Sequence, residues 1–260
     1  MNITDCHAHI YPMKIAEKAT GVIGEFYDTK MRHIGSPEEL LESGSRAGVT
    51  RYWVHSVATT PHQVSSINRF IAEQCALHPE FTGFGTLHPD SDDIARDVDE
   101  LISLGLRGVK LHPDFQKFNI DDPHALPMYE AFAGKLPLLV HLGDDRYDFS
   151  NPRRLANVLD LFPKLVCVGA HMGGYRVWDE AYDALGRRDC WIDTSSTLGM
   201  LNDPDRVRGM VKLWGTDRLI FGSDFPMWDH EEELERFEKL GITGEALENV
   251  MWRNAESVVK

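Results

Sequence analysis

Eight short runs rich in apolar and β-branched residues recur along the chain, and each is followed by a longer stretch of helical pattern. The runs span residues 2–10, 51–58, 82–87, 108–112, 138–142, 166–171, 190–195 and 219–223. Their length and composition read as strands. Between them, Ser36-Pro37-Glu38-Glu39, Asn151-Pro152, Asp203-Pro204 and Thr243-Gly244-Glu245 place a capping residue or a proline where the first turn of a helix uses it. Residues 94–104 carry apolar side chains at 94, 98, 101, 102 and 104, the spacing of a helix with one face on a sheet. Strand and helix alternating eight times within roughly 250 residues predicts a (β/α)8 barrel of the TIM type. A doubly wound open sheet shares the alternation, but normally carries a glycine-rich phosphate turn after its first strand. Here that place holds His7-Ala8-His9. The chain is therefore expected to be α/β, a single barrel domain over residues 1–260. Residues 10–35 are the longest connection and contain Tyr11, Phe26, Tyr27 and Met31 without clear periodicity. Such a segment is expected either as a lid or binding loop over the barrel mouth or as a surface excursion with one short helix.

A formal net charge of −14 argues against a nucleic-acid partner, since phosphate backbones are bound mainly through lysine and arginine. The same charge favours solubility and a cytoplasmic setting. No basic segment followed by an apolar one opens the chain, and no apolar run has the length of a membrane span. Cys6, Cys75, Cys167 and Cys190 are scattered without C-x-x-C spacing, so reduced thiols are expected, three of them as core filler.

In a strand, alternate side chains share a face, so His7 and His9 can offer two imidazoles to one metal ion. Among twelve histidines such a pair is weak evidence by itself. Its company strengthens it. Barrel active sites gather where strands end at the C-terminal face. The fourth strand ends with Lys110 and His112, the fifth with His141, the sixth with His171 and the eighth with Asp224. Imidazole and carboxylate together suit zinc and other divalent ions, which lower the pKa of a water ligand and polarise an electrophile. A carboxylate such as Asp224 can also accept the proton of an attacking water and pass it to a leaving group.

The ordered set HAH at strand one, GVKLHP at strand four, VHLG at strand five, GAHMGG at strand six and FGSDFP at strand eight resembles the amidohydrolase superfamily. More narrowly, it resembles the amidohydrolase-related branch, which includes metal-dependent hydrolases and the aminocarboxymuconate-semialdehyde decarboxylase group. The resemblance covers almost the whole chain and implies that His7, His9, His141 and Asp224 are metal ligands, with Asp224 also the proton acceptor. It makes His171 either a hydrogen-bonding catalytic residue beside one metal or a ligand to a second. Lys110 divides the comparison: in binuclear members the strand-four lysine is carboxylated and bridges two metals, whereas in this branch a similar lysine often occurs without that chemistry. One metal is the preferred reading. An unmodified Lys110 would be neutral or paired with an acid.

Loops after strands five and six would ring the mouth, and His112, Arg146 and Tyr175 are the candidate substrate-binding residues. An arginine can fork onto a carboxylate and an aromatic ring can cover another ring. Arg146 and Arg176 can equally pair with neighbouring aspartates, and Trp228 either lines the pocket or packs under a helix. His55, His88 and His112 are expected as pocket or hydrogen-bonding groups; His33, His62, His78, His124 and His230 are expected at the surface. Asp5 is expected to orient a ligand by accepting its second N–H. The expected activity is hydrolysis of a small amide, ester or lactone by metal-activated water, with Asp224 as base, His171 supporting the oxyanion and Lys110 in the catalytic group. Zinc is the expected ion, one per chain or two. The alternative is a metal-dependent non-oxidative decarboxylase with the same ligands. A barrel that binds metal or ligand without catalysis is the reading from another class. The expected partner is a small molecule, with no nucleic acid and no membrane, and the sequence leaves room for a homo-oligomer.

Overall fold

The structure is a computed structural model that describes residues 1–259. Its strands are β1 (Thr4–His9), β2 (Arg51–His55), β3 (Phe81–Thr86), β4 (Gly108–Leu111), β5 (Leu138–Val140), β6 (Cys167–Gly169), β7 (Trp191–Asp193) and β8 (Leu219–Ile220). All pair in parallel, in chain order, with helices between them. The circle closes where Cys6 N donates to Phe221 O (3.0 Å), Asp224 N to His7 O (2.9 Å) and His9 N to Phe225 O (2.7 Å). The expected (β/α)8 barrel is the fold of the chain. Ser36, Asn151 and Asp203 cap their helices as the sequence predicts, each accepting from a backbone N–H of the first turn. Thr243 makes no such bond, although a helix does begin at Gly244. Among the described residues no helix is long and apolar enough to cross a membrane.

Three helices matter for the site: α1 (Met13–Tyr27), α2 (Pro37–Arg46) and α3 (Val64–Leu77). The first lies within residues 10–35 and, at 15 residues, is longer than the short helix that one of the two sequence readings allows there. Its buried face is Ala16, Thr20, Gly24 and Tyr27, and the first three are small residues that leave almost no hydrophobic signal at helical spacing. Gly24 permits the close approach: a Cβ there would stand 2.9 Å from Thr29 O.

The barrel interior is built in layers. Cys6, Trp53, Phe84, Leu139, Val168 and Ile220 form an apolar plug, with Trp53 and Phe84 stacked at 4.6 Å between ring centroids. The Phe84 ring lies where a Cβ on Gly108 would stand, so that position admits only glycine. Two residues further along their strands, on the same inward face, come His55, Thr86 and His141, all buried. The plug is thus the floor on which the polar layer rests. A register shift between Asp5 and Ala8 marks a bulge in β1, which turns both Cys6 and His7 inward and leaves Asp5 on the opposite side. Phe84→Ala should remove about 3–5 kcal/mol of stability, measured by denaturant unfolding. A loss below about 1 kcal/mol would mean that the plug does not carry the barrel.

Candidate metal and catalytic centre

The polar layer converges at the C-terminal end of the strands. His7 Nε2 lies 3.5 Å and His9 Nε2 3.7 Å from Asp224 Oδ1. Lys110 Nζ donates to His7 Nε2 at 3.0 Å. His141 Nδ1 and His171 Nε2 face one another at 2.9 Å. The structure therefore brings together all six chemistry-bearing residues picked from the sequence, in two groups: His7, His9 and Asp224 with Lys110 on one side, His141 with His171 on the other. A cavity of about 20 Å³ lies among them, lined by His7, His9, His112, His141, His171 and Asp224.

Burial sets the charges. It holds His7, His9, His55, His112 and His141 well below the usual imidazole range, and the neighbouring Lys110 adds to the effect on each. These rings are neutral near pH 7 and keep a lone pair to offer. Burial also lowers Lys110 to about 8, against the opposing pull of Asp193 and Asp224. It raises Asp224, partly offset by His171 and by the hydroxyl of Ser196.

One residue that the sequence reading passed over organises this layer. Asp193 at the end of β7 is fully buried, and its Oδ2 accepts from His7 Nδ1 at 2.9 Å. Its Oδ1 accepts the backbone N–H groups of His171 (2.9 Å) and Ser195 (3.0 Å) and the Ser195 hydroxyl. With Nδ1 donating to Asp193, the lone pair of His7 sits on Nε2, which faces Lys110 and Asp224. His171 Nδ1 donates to Ser195 O (3.1 Å), which leaves Nε2 free toward His141. The missed signal is simple: Asp193 ends the seventh strand of a barrel whose other strands end in functional groups.

Asp5 is the correction that goes with it. The bulge turns it away from the site, so it orients no ligand ring. It binds backbone instead, accepting from His7 N (3.0 Å), Ser223 N (2.9 Å) and the Ser223 hydroxyl (2.6 Å). His230 Nε2 reaches Asp5 Oδ2 at 3.0 Å while its Nδ1 meets Ser43 Oγ at 2.8 Å, so His230 is fully buried and not the surface group expected. His33 is also withdrawn from the surface, 3.0 Å from Asp229. Two residues beside the site take left-handed backbone, His171 (φ 61°) and Asp224 (φ 66°). Side chains rarely adopt it, and here the surrounding hydrogen bonds hold it in place.

The roof comes from α1. The Tyr27 hydroxyl is 2.9 Å from His112 Nε2, and the His112 ring is stacked between Phe115 (3.8 Å) and His141 (3.9 Å). Tyr175 lines the cavity, and burial pushes its hydroxyl up to about 12. Arg146 lies outside the cavity lining; its guanidinium is forked onto Asp144 (2.9 and 2.6 Å) and stacked on Phe26 at 4.5 Å. Arg176 is 3.8 Å from Asp145. Trp228 donates to Ser196 Oγ at 3.0 Å, behind Asp224. His55 stands edge-on to His9 at 4.3 Å, fully buried, with neither nitrogen hydrogen-bonded. The four thiols are free, and Cys6, Cys167 and Cys190 are buried as expected.

The donor set fits a divalent metal ion. An ion about 2.0–2.2 Å from each ligand holds neighbouring donors roughly 3 Å apart, close to the spacings of His7, His9 and Asp224. His55, with no hydrogen bond at either ring nitrogen, falls at ligand spacing with His7 and His9, and His141, whose Nε2 has no hydrogen-bond partner, falls at ligand spacing with His112 and Asp114. A parallel eight-stranded barrel with histidine and aspartate donors at its C-terminal face defines a metal-enzyme class. Within that class the chain belongs to the amidohydrolase family: the family model described as Amidohydrolase matches residues 4–260. A curated relative, gamma-resorcylate decarboxylase of Polaromonas sp. (strain JS666), is 21% identical over 74% of this chain and 74% of its own. An uncharacterized TIM-barrel protein from Bordetella bronchiseptica superposes with a TM-score of 0.78 at 20% identity, covering 99% of this chain and 98% of the other. A dihydroxybenzoic acid decarboxylase from Polaromonas sp. JS666, solved with manganese and the inhibitor 2-nitroresorcinol, gives a TM-score of 0.77 at 16% identity, covering 100% and 97%.

Asp193→Asn keeps the shape of the side chain but weakens its hold on His7 Nδ1, so affinity for zinc should fall roughly 10–100-fold with the fold intact. Chelator competition alongside circular dichroism measures both. Unchanged affinity would show that Asp193 only ties strands together.

Proposed function

We propose that the chain is a metal-dependent, non-oxidative decarboxylase of a small aromatic carboxylic acid. The observation that carries the reading is Asp224: a buried carboxyl beside two imidazoles, at a cavity walled by Tyr27, Phe115 and Tyr175. His7, His9 and Asp224 would hold the ion, with His141 as a further ligand beside His171; zinc suits the imidazole-rich set. When bound, the ion supplies positive charge that holds and neutralises the substrate's carboxylate. Breaking the bond between ring carbon and carboxylate releases carbon dioxide and leaves an electron pair on the carbon. Asp224 is the group that would deliver a proton to that carbon, after which solvent restores its proton. Tyr27, Phe115 and Tyr175 cover the centre and exclude bulk water from it. The decarboxylase relatives support this reading over the hydrolase expected from the sequence.

Lys110 favours a second reading. It stands against His7 while His141 and His171 form a second imidazole pair, the full set for a bridging carboxylated lysine and a two-metal hydrolase. Metal content separates the two. About one transition metal per chain, lost in His7→Ala, supports the mononuclear centre; about two supports the bridged lysine.

Carbon dioxide release from γ-resorcylate and other hydroxybenzoates tests the activity, with lactones and amides as controls. Asp224→Asn should lower turnover at least about 100-fold. Turnover of the controls alone would replace the proposed decarboxylase with a hydrolase.

A further inference from the structure

The central cavity, about 20 Å³, has room for an ion or a water but not for an organic substrate. Its roof is fastened by the contact between Tyr27 and His112, by Arg146 donating to Phe26 O and by Phe26 packed edge-on against Phe115 at 4.7 Å. The open space lies to the side. A groove of about 680 Å³ runs between α1 and α3, and His9, Ile23 and Phe115 line both it and the central cavity. That volume is in the range of small-molecule sites.

Helix α1 carries two apolar stripes. One, through Ala16 and Gly24, is buried on the barrel. The other, through Ile15, Ala19 and Val22 at helical spacing, faces the groove opposite Ile67 and Phe70 of α3. Ile15 and Val22 remain 44% and 58% exposed, so among the described residues no element covers this stripe. The lining carries two lysines, Lys14 and Lys18, one turn apart on α1, and no carboxylate. In a chain of net charge −14, this is a local attraction for an anion.

Resting on the decarboxylase reading, we propose that this groove is the entry and specificity pocket for the substrate: an aromatic carboxylic acid with an extended apolar body beyond the ring that bears the carboxylate. The acid enters past Lys14 and Lys18, its carboxylate reaches the histidine cluster by way of His9, and its body stays between α1 and α3. The groove thus discriminates acids by the length of the body.

Calorimetric titration of zinc-loaded protein with benzoate and with biphenyl-4-carboxylate tests this. The longer acid should bind at least about tenfold more tightly, since a second ring leaves water. Val22→Trp, at an exposed position, and Ala19→Trp, as a second block, should abolish that gain by weakening biphenyl-4-carboxylate more than benzoate. Equal affinity for the two acids, or a gain that survives both variants, overturns the proposal. So does light scattering that shows a dimer split by Val22→Trp, because the groove would then seat a second copy of the chain. A length-dependent gain without carbon dioxide release from any acid supports the groove and overturns only the decarboxylase reading.

Discussion

The Asp193 carboxylate is the interaction on which the site depends. It sits fully buried at the end of β7 and accepts from His7 of β1 and from the backbone of His171 beyond β6. Three separate strands are thereby fixed to one another at the level where chemistry takes place. The same bond decides which nitrogen of His7 keeps its lone pair, and through Ser195 it reaches the His171 ring as well, with Ser195 Oγ 2.9 Å from His171 Nδ1. A buried carboxylate with so many donors is costly to place but stiff once placed.

Asp5 performs the matching task on the other side of the closure. The bulge that turns it outward lets it bind the backbone of His7 and Ser223, so the strand ends bearing His7 and Asp224 move as one unit. His230 and Ser43 then connect that unit to the helix that begins at His230 and to α2. Two buried aspartates, one inside the barrel and one outside, hold the seam where β1 meets β8.

The sequence made the barrel legible because eight apolar runs at the right spacing leave few alternatives. It also exposed the candidates of the site, since they fall at strand ends: His7 and His9 on the first strand, Lys110 on the fourth, His141 after the fifth and Asp224 after the eighth all enter the same layer. What it hid was phase and backbone. Strict alternation would place Asp5 on the face of His7, and only the bulge reverses it. The long α1 stayed hidden because Ala16, Thr20 and Gly24 bury a helix face without hydrophobic bulk. His230 read as a surface helix residue because its partners, Asp5 and Ser43, are distant in the chain. Asp193 carries a positional signal alone, the end of strand seven.

The electrostatics of the layer also constrain what it can bind. Bringing Lys110, Asp224 and several imidazoles out of water penalises every charged form, and the shifts follow that direction: imidazoles and amine down, carboxyl up. The consequence is a cluster of neutral nitrogen donors around a carboxyl group, which attracts a cation more strongly than protonated imidazoles would allow. A divalent ion there would reverse the local penalty on Asp224 by favouring its ionised form. The proton that Asp224 can deliver, and the ion that it can help to hold, are therefore in competition. Ser196 and His171, which both stabilise the ionised carboxylate, set the balance between those two roles.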